Sequence, residues 1–523
     1  MIKEVDVKRL PIGIQTFSKL IESDCVYVDK TALIYELITN YEYCFLARPR
    51  RFGKSLLVST LADIFSGEKE LFNGLAISAL PYSWKKHPVI MISFADIPNT
   101  SPEALEQGLK NYLQIIAQEN DITISSTISS GEMLRSLVIQ LSKEARVALL
   151  IDEYDYPILQ HIHNPATADT MREVLKNFYA VIKGLDKYLR FGFLTGVSKF
   201  SQTSIFSGLN NLNDISLDRT FNTLLGYTKD EIITHFQPHL AEAAKYNKSS
   251  TEECLTHITE WYDGYRFTAE ANATKIYNPF SVLLFLSKQV FSNYWFNTGT
   301  PTFLINLFKK YNYSMQDFDH IEATESELGS FEIQNISLKT LLFQTGYLTI
   351  SSYNVHTKNY VLSYPNKETV ESLIEYLFTS MTNKSGQLLN NTANTLFRAF
   401  EENNFEKIQL ILTQFLAAVP YTIKIDAEKY YQTIFYVMLK MAGADIIVEQ
   451  PTNIGRIDAV IQTTSNCFVI EMKINASAQI ALRQIREKKY YQPYESLGKN
   501  ITLVGIAFDT TMNNISEIKH EAL

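Results

Sequence analysis

Cysteine is scarce in this chain of 523 residues, which contains four, at positions 25, 44, 254 and 467. They lie far apart, without the CxxC or Cys/His spacing of a zinc site, and they are too few for a disulfide scaffold. No stretch approaches the roughly 18 uninterrupted apolar residues of a membrane span. The opening MIKEVDVKRLPIG contains acids and lacks the apolar core of a signal peptide. These absences predict reduced thiols and a cytoplasmic protein.

An excess of positive charge is also missing, since 48 Lys and Arg stand against 56 Asp and Glu, a net charge of −8. No global field attracts nucleic acid or anionic membrane, so any polyanion site has to be local. Hydrophobic residues at 46% and charged residues at 20% are typical of a globular protein. At about 100–200 residues per domain, the length predicts two to four domains.

Short apolar runs alternate with helical stretches between residues 41 and 206. The runs YCFLA, VIMISF, VALLID and FGFLTGV begin at residues 43, 89, 147 and 191, and continuous apolar runs of this length suit buried parallel strands. The stretches between them that look helical are 54–65, 103–117, 130–143 and 168–185. This alternation predicts an α/β domain with a parallel sheet, over residues 1–224.

The remainder of the chain divides into a mostly helical region, 225–385, and a smaller α/β unit, 386–523. Residues 337–378 read as helix, strand, polar turn, strand and helix, an order that resembles a winged helix. We favour a lid or packing subdomain over a DNA-reading wing. The polar segment 382–395 predicts a surface connection. The predicted elements after it are helical material to about residue 418, helix 426–442, strands 446–452, 456–463 and 467–474, helix 478–491 and strand 501–508.

The segment RPRRFGKS (48–55) follows a predicted strand and opens a predicted helix, which is the context of a phosphate-binding P-loop. Gly53 allows a tight turn against a phosphate, Lys54 would reach the β- and γ-phosphates, and the Ser55 hydroxyl would bind Mg²⁺. Arg48 stands where the first glycine of a P-loop usually lies. The residues predicted to contact the nucleotide are Arg50, Arg51, Phe52, Gly53, Lys54 and Ser55.

The segment LLIDEYD places Asp152 and Glu153 at the end of a buried strand. A P-loop enzyme needs one acid there for Mg²⁺ and another to polarise the attacking water, so Asp152 is predicted for the metal and Glu153 for catalysis. The alternative is a pair of acids that cap a strand beside the turn at Pro157. Because both motifs occur in the right order and context, nucleotide binding is the favoured reading.

A second cluster of charge interrupts apolar strands near the end of the chain. Side chains alternate along a strand, so Glu471 and Lys473 point to one face, and a hairpin would bring Asp458 to the same pocket. Two carboxylates hold Mg²⁺ and the lysine positions or activates the water that attacks a phosphodiester. The alternative is a charged face exposed to solvent. Without the surrounding apolar residues, this would be the favoured interpretation. Further predicted metal ligands are Glu428 and, more weakly, Glu449.

Six segments resemble a family of bacterial AAA-ATPase-like proteins that carry a PD-(D/E)XK nuclease-like domain behind the ATPase: RPRRFGKS, LIDEYDYPIL, FLTGVSKFSQTSIFSGLNNLNDIS, WYDGYRF, YNPFSVL and YWFNTGTPTFL. In that family an arginine-proline start of the P-loop is typical. The resemblance implies that Ser198 and Lys199, with Thr195, form a sensor of the γ-phosphate, although ordinary loop polarity explains them equally well from spacing alone. Arg219 is either an arginine finger for a neighbouring subunit or a surface arginine.

The same resemblance implies the D…ExK pattern of PD-(D/E)XK nucleases for Asp458, Glu471 and Lys473, and a site-facing role for Gln484. The neighbouring cations are phosphate contacts or a solvated helix face: Arg483, Arg486, Lys488 and Lys489. Tyr490 and Tyr491 stack on bases or simply pack.

The fold class implied is α/β, with a P-loop NTPase core, a helical and winged-helix-like middle region and a PD-(D/E)XK nuclease-like domain. The expected function is an ATPase that uses ATP and Mg²⁺ and is coupled to a Mg²⁺-dependent nuclease acting on nucleic acid, with DNA favoured through a local basic patch. The alternatives are a nucleotide switch with a non-cutting recognition domain and, last, a small-molecule kinase. A homo-oligomer is compatible with this expectation.

Overall fold

A computed structural model describes residues 7–162, 164–199, 211–270, 272–295, 321–329, 337–382, 386–417, 438, 445–452, 455–512 and 514–523. The chain divides into two compact units. The described residues up to 295 and from 321 to 368 belong to the first unit, and those from 369 onward belong to the second.

The first unit is built on a five-stranded parallel sheet. Its strands are β1 (Tyr43–Ala47), β2 (Val89–Ser93), β3 (Val147–Asp152), β4 (Leu189–Gly196) and the short β5 (Asn213–Asp214), in the spatial order β2-β3-β4-β1-β5. All six residues of β3 are buried, as expected for a strand covered on both faces. The helices up to Ala180 are Phe17–Glu22, Thr31–Asn40, Lys54–Phe65, Pro102–Glu119, Ser130–Leu141, Tyr156–Gln160 and Pro165–Ala180.

This arrangement confirms the predicted parallel α/β core. Because β4 lies between β1 and β3, the ends of these three strands meet at one edge of the sheet. That edge carries the P-loop after β1, the acidic segment after β3 and the loop after β4.

A helical region with a small sheet completes the first unit. Thr228 and Ser250 each form a capping box that starts a helix. The helices are Lys229–His235, Gln237–Tyr246, Thr251–Tyr262, Pro279–Lys288, Glu325–Gly329 and Leu338–Thr345. Strands β6 (Ile321–Thr324), β7 (Thr349–Asn354) and β8 (Asn359–Ser363) form an antiparallel sheet in the order β6-β8-β7. With helix Lys367–Thr382 after β8, the predicted order of helix, strand, turn, strand and helix is confirmed.

The second unit contains a mixed sheet of five strands. These are β9 (Asp445–Thr452), β10 (Gly455–Gln462), β11 (Asn466–Ile474), β12 (Asn500–Asp509) and β13 (Asn514–Ala522), in the order β13-β12-β11-β10-β9. Strands β11 and β12 are parallel and the other pairs are antiparallel. The helices after residue 382 are Gly386–Glu401, Phe405–Ala417 and Ala478–Glu487.

Two features of this unit differ from the sequence prediction. Helix Gly386–Glu401 occupies most of the segment 382–395 that was predicted as a surface connection. Leu389, Ala393 and Leu396 are fully buried, and a spacing of three to four residues is enough for one apolar face in an otherwise polar helix. Strand β13 was not predicted, because charged residues interrupt its sequence ISEIKHEA. The predicted helix 426–442 lies outside the described residues except for Met438.

All four cysteines are free and buried, and burial raises the pKa of the Cys44 thiol to about 12. None of the described helices is long and apolar enough to span a membrane.

Candidate nucleotide and metal sites

The P-loop joins β1 to helix Lys54–Phe65 through two residues with left-handed backbone. Gly53 has φ +96° and Arg51 has φ +70°. A side chain at position 53 would meet nothing closer than 4.0 Å, so the need for glycine there is conformational. The turn directs the chain into the helix at Lys54, which places the helix N-terminus at the edge of the sheet where an anion would bind.

Lys54 is buried, and its ammonium group is bound by the loop that precedes it. Nζ donates to the carbonyl oxygens of Arg48 at 2.9 Å and Pro49 at 2.8 Å. Burial lowers its pKa, and the charges of Asp152 and Glu153 oppose this shift. Both hydrogen-bond acceptors of the ammonium are neutral carbonyls, which an anionic phosphate could replace.

Arg48 does not point toward the predicted phosphate position. Its guanidinium is buried, donates to the carbonyls of Ser216 at 2.6 Å and Phe221 at 3.3 Å, and lies 4.2 Å from the ring centroid of Phe267. Burial lowers its pKa to about 9. The arginine that replaces the usual glycine therefore ties the start of the P-loop to residues 216–221.

The other P-loop side chains divide between the cleft and the core. Arg50 and Ser55 line a cleft of about 420 Å³ together with Gly53 and Lys54. The Phe52 ring is buried and packs against Tyr265 with centroids 4.9 Å apart, which leaves its backbone as the part that can contact a nucleotide. The Arg51 guanidinium lies 4.8 Å from the ring centroid of Phe280 and also borders the cleft.

Asp152 and Glu153 lie opposite the P-loop. Asp152 is buried at the end of β3 and is hydrogen-bonded to the Ser55 side chain; burial raises its pKa, and this hydrogen bond and Lys54 oppose the rise. Glu153 lines the cleft with a left-handed φ of +52°, and burial followed by the charge of Asp152 raises its pKa. Ser55 and Asp152 thus offer oxygen ligands that fit Mg²⁺, and Glu153 faces the same cleft.

The residue that the sequence analysis missed is Asp155. It is fully buried, and its carboxylate accepts from Val197 N–H at 3.1 Å, Ser198 N–H at 2.6 Å and Ser198 Oγ at 2.5 Å. Gly196 allows this approach, because an added Cβ would lie 2.4 Å from Asp155 Oδ1. Asp155 therefore fixes the end of β4 to the acidic segment; its place in IDEYD was the available signal.

The predicted sensor residues make other contacts in this structure. The Ser198 hydroxyl is buried against Asp155. Lys199 forms an ion pair with Asp214, and its backbone N–H donates to Gln344 Oε1 at 2.8 Å. The Thr195 hydroxyl donates to the Leu46 carbonyl at 2.7 Å. Arg219 is on the surface, with its side chain 76% exposed and 3.3 Å from Glu270.

In the second unit, the β10–β11 hairpin brings the predicted acids together. Its ladder pairs Ala459 with Ile470, so the next position sets Asp458 opposite Glu471. Asp458 Oδ2 accepts from Met472 N–H at 2.7 Å. Lys473 Nζ donates to Glu471 Oε1 at 2.8 Å, and Gln484 Nε2 donates to the same oxygen. Four of the predicted site residues therefore meet at one place.

The burial and hydrogen bonds of the Glu471 carboxylate indicate whether this site can bind a metal ion. It is buried, and burial followed by the charge of Asp458 raises its pKa to about 7. Its other oxygen, Oε2, is buried and has no hydrogen-bond partner among the described residues. A buried carboxylate oxygen without a partner is costly, and a divalent cation between Glu471 and Asp458 would satisfy it. The donor set fits Mg²⁺, which prefers oxygen ligands.

The additional predicted ligands cannot be placed in the same way. Glu428 lies outside the described residues. Glu449 lies on β9, where the register between Ile457–Gln450 and Ala459–Val448 sets it opposite Asp458. Across the described residues, no three or more His, Cys, Asp or Glu side chains form a metal-binding group.

Two of the four cations of the predicted basic patch, Arg483 and Arg486, have acidic partners. Arg486 Nε lies 2.5 Å from Glu521, and Arg483 Nε lies 4.0 Å from Glu487. Lys488 Nζ is 5.7 Å from the ring centroid of Tyr490, and its charge acts on Glu471. Tyr490 is buried in the core of the unit, whereas Tyr491 is half-buried and packs against that core.

Known families match both units. A model described as a predicted AAA-ATPase matches residues 11–206, and a model of the PD-(D/E)XK nuclease superfamily matches residues 426–518. An uncharacterized protein in the vnfD 5′ region of Azotobacter chroococcum mcd 1 is 36% identical over 530 residues, covering 99% of both chains. The chain belongs to the AAA-ATPase-like family with a C-terminal PD-(D/E)XK nuclease-superfamily domain. In this AAA-ATPase-like protein the first match contains the P-loop and the 152–155 segment, and the second contains Asp458, Glu471, Lys473 and Gln484.

Proposed function

We propose that this protein binds and hydrolyses ATP and that its second unit hydrolyses phosphodiester bonds of nucleic acid, DNA in the first place, with Mg²⁺. The observation that supports nuclease activity is the buried carboxylate of Glu471, opposite Asp458. Its Oε2 has no hydrogen-bond partner among the described residues, and its Oε1 accepts from Lys473 and Gln484. A solvated charged face would not bury this carboxylate. The small-molecule kinase hypothesis leaves the whole cluster unexplained.

In the first unit, each residue has a distinct task. Lys54 exchanges the carbonyls of Arg48 and Pro49 for phosphate oxygens, because an ammonium binds an anionic acceptor more strongly than a neutral carbonyl. Ser55 and Asp152 would hold Mg²⁺, which would supply charge compensation for the phosphates. Glu153, held beside Lys54, accepts the proton of the attacking water. Asp155 keeps this acidic segment fixed relative to β4.

In the second unit, Asp458 and Glu471 would hold the divalent cation, which would supply charge compensation at the scissile phosphate. Gln484 and Lys473 orient Glu471 by donating to Oε1, which leaves Oε2 as the oxygen that would bind the cation. Lys473 is partly exposed, with 26% of its side chain accessible. Its ammonium can therefore also bind the phosphate or the attacking water.

The test is cleavage of plasmid and single-stranded DNA with Mg²⁺ or Mn²⁺, with and without ATP. Glu471→Gln preserves size and removes the charge needed for the cation, so we expect cutting to fall at least 100-fold while ATP turnover is retained. Lys54→Ala should abolish ATP turnover and serves as the reciprocal control. Cutting that is unchanged in Glu471→Gln would refute the assignment of the nuclease site.

The second candidate is a nucleotide switch whose nuclease-like unit recognises a partner without cutting. It is favoured by the acidic partners of Arg483 and Arg486, which weaken the patch expected to hold DNA. Normal ATP hydrolysis without cutting of DNA or RNA under any metal condition would support it. In either case we propose that the protein works in the cytoplasm, and as a homo-oligomer if Arg219 serves a neighbouring subunit.

A further inference from the structure

Three consecutive carbonyls of the P-loop have identified donors, and the third donor comes from outside the loop. Lys54 Nζ bonds the carbonyls of Arg48 and Pro49. The indole N–H of Trp295 donates to the Arg50 carbonyl at 3.2 Å. Trp295 belongs to the YWFNTGTPTFL motif, which the proposed chemistry does not use.

The Trp295 ring has little space in which to shift. It is buried and meets the Tyr347 ring edge-on, with centroids 5.2 Å apart. Beside it, Gly346 is so close to the P-loop that an added Cβ would lie 2.7 Å from Pro49 Cβ and 3.4 Å from the indole. Close-packed contacts of this kind transmit displacement, so a movement of the loop at Pro49 and Arg50 has to move Trp295 as well.

The backbone of Trp295 is fixed by Glu368, a carboxyl group that is fully buried. Glu368 Oε1 accepts from Trp295 N–H at 2.7 Å, and the Ser281 hydroxyl lies 3.0 and 2.8 Å from its two oxygens. Ser281 comes from the YNPFSVL motif. Glu368 is the second residue of helix Lys367–Thr382, whose first residues belong to the first unit and whose later residues belong to the second.

We propose that Trp295 and Glu368 couple the nucleotide state of the P-loop to helix Lys367–Thr382. Through this helix, the nucleotide state regulates the second unit. This rests on the nucleotide binding proposed above. When Lys54 leaves the carbonyls of Arg48 and Pro49 for a triphosphate, the loop relaxes while Trp295 still holds the Arg50 carbonyl. The displacement therefore reaches Glu368, at the first turn of the helix.

The test is hydrogen exchange of the full chain with and without β,γ-imido-ATP and Mg²⁺, at nucleotide concentrations shown by titration to saturate each variant. In the wild type we expect nucleotide to change exchange rates within residues 367–382 at least twofold. Trp295→Phe keeps an aromatic ring and removes the N–H donor, and should lose this response. Gly346→Ala keeps the indole N–H donor but adds a Cβ against Pro49 at a residue with φ +92°, and it should lose the response independently.

Two control variants should keep the response. Glu368→Gln retains a carbonyl for the N–H of Trp295 and a donor for Ser281. Trp84→Phe removes an indole that packs elsewhere, against Phe72. A response that persists in both Trp295→Phe and Gly346→Ala, or nucleotide binding by the wild type without any response, overturns the coupling alone. Failure of the wild type to bind nucleotide overturns the proposed function and the coupling together.

Discussion

Glu471 sets the pH dependence expected for cutting. Because its pKa in the folded protein is raised to about 7, a large fraction is protonated near neutrality in the absence of a cation, and a proton competes with the metal. At subsaturating Mg²⁺, the rate of cutting should therefore rise between pH 6 and 8. Over the same range the Mg²⁺ concentration that gives half the maximal rate should fall. Below the pKa of Glu471 this concentration should fall by up to about tenfold per pH unit.

Initial cleavage rates over a Mg²⁺ series at each pH measure this. The ATPase rate of the same preparations is the internal control for general pH effects. A half-maximal Mg²⁺ concentration that is constant from pH 6 to 8 would contradict protonation of Glu471 in this range.

Glu368 should make the first unit less stable as pH rises. Burial raises its pKa from the ordinary 4.5 to about 8, so between these values the folded state binds more protons than the unfolded state. The stabilising contribution of the protonated form is complete below about pH 4.5 and is lost as pH rises toward 8.

Glu368→Gln mimics the protonated acid and should remove this dependence. The free energy of unfolding of Glu368→Gln minus that of the wild type should increase by about 3 kcal/mol between pH 5.5 and 8.5. Calorimetric melting at both pH values measures it, and exposed Glu260→Gln is the matched control. An equal shift at both pH values would mean that Glu368 is ionised in the fold.

Helix Ala478–Glu487 depends on a glycine in the strand beneath it. A Cβ at Gly505 of β12 would lie 2.3 Å from the Ala478 carbonyl oxygen and 3.1 Å from Ala481 Cβ. Gly505→Ala should push the helix from the sheet, costing about 1–3 kcal/mol, and withdraw Gln484 from Glu471. We expect cutting to fall at least tenfold with ATP turnover unchanged.

Thermal melting and paired assays of both activities measure this effect. Gly184→Ala is the control, because an added Cβ there meets nothing within 4 Å. Full cutting activity in Gly505→Ala would show that the position of this helix is not critical.

Helices and strands could be predicted from the sequence where the apolar residues followed one clear pattern. Strand β1 and helix Lys54–Phe65 have the predicted bounds, because a buried apolar strand and an amphipathic helix leave plain patterns. The first ten residues of helix Gly386–Glu401 and the whole of strand β13 were missed, because their polar composition hides a narrow apolar face. The pairing of Asp458 with Glu471 followed from the hairpin, whereas the role of Asp155 depends on how closely β4 approaches, which spacing along the chain does not encode.

For the whole molecule, the net charge of −8 and the ion pairs of Arg483 and Arg486 limit how the proposed DNA substrate could be bound. Among the described residues near the second site, the cations that form no ion pair with an acid other than Glu471 are Lys473, Lys488 and Lys489. About three phosphate contacts predict a slope near −3 for the logarithm of the association constant against the logarithm of salt concentration.

Fluorescence anisotropy of duplex DNA with Glu471→Gln, which leaves the DNA intact, measures this slope. Lys488→Gln should reduce its magnitude by about one, while Arg486→Gln, which loses a residue already bound by Glu521, should leave it nearly unchanged. A slope of about −6 or steeper would require a cationic surface beyond these residues.

The burial of all four thiols has a practical consequence for following this protein at work. A maleimide fluorophore reacts with accessible thiolates, so the native cysteines should label slowly and need not be replaced. Cysteines introduced at Val355, on the β7–β8 turn, and at Met512, both well exposed, would accept a donor and an acceptor dye. Single-molecule energy transfer between them would then record, one protein at a time, whether the spacing of the two units responds to added ATP.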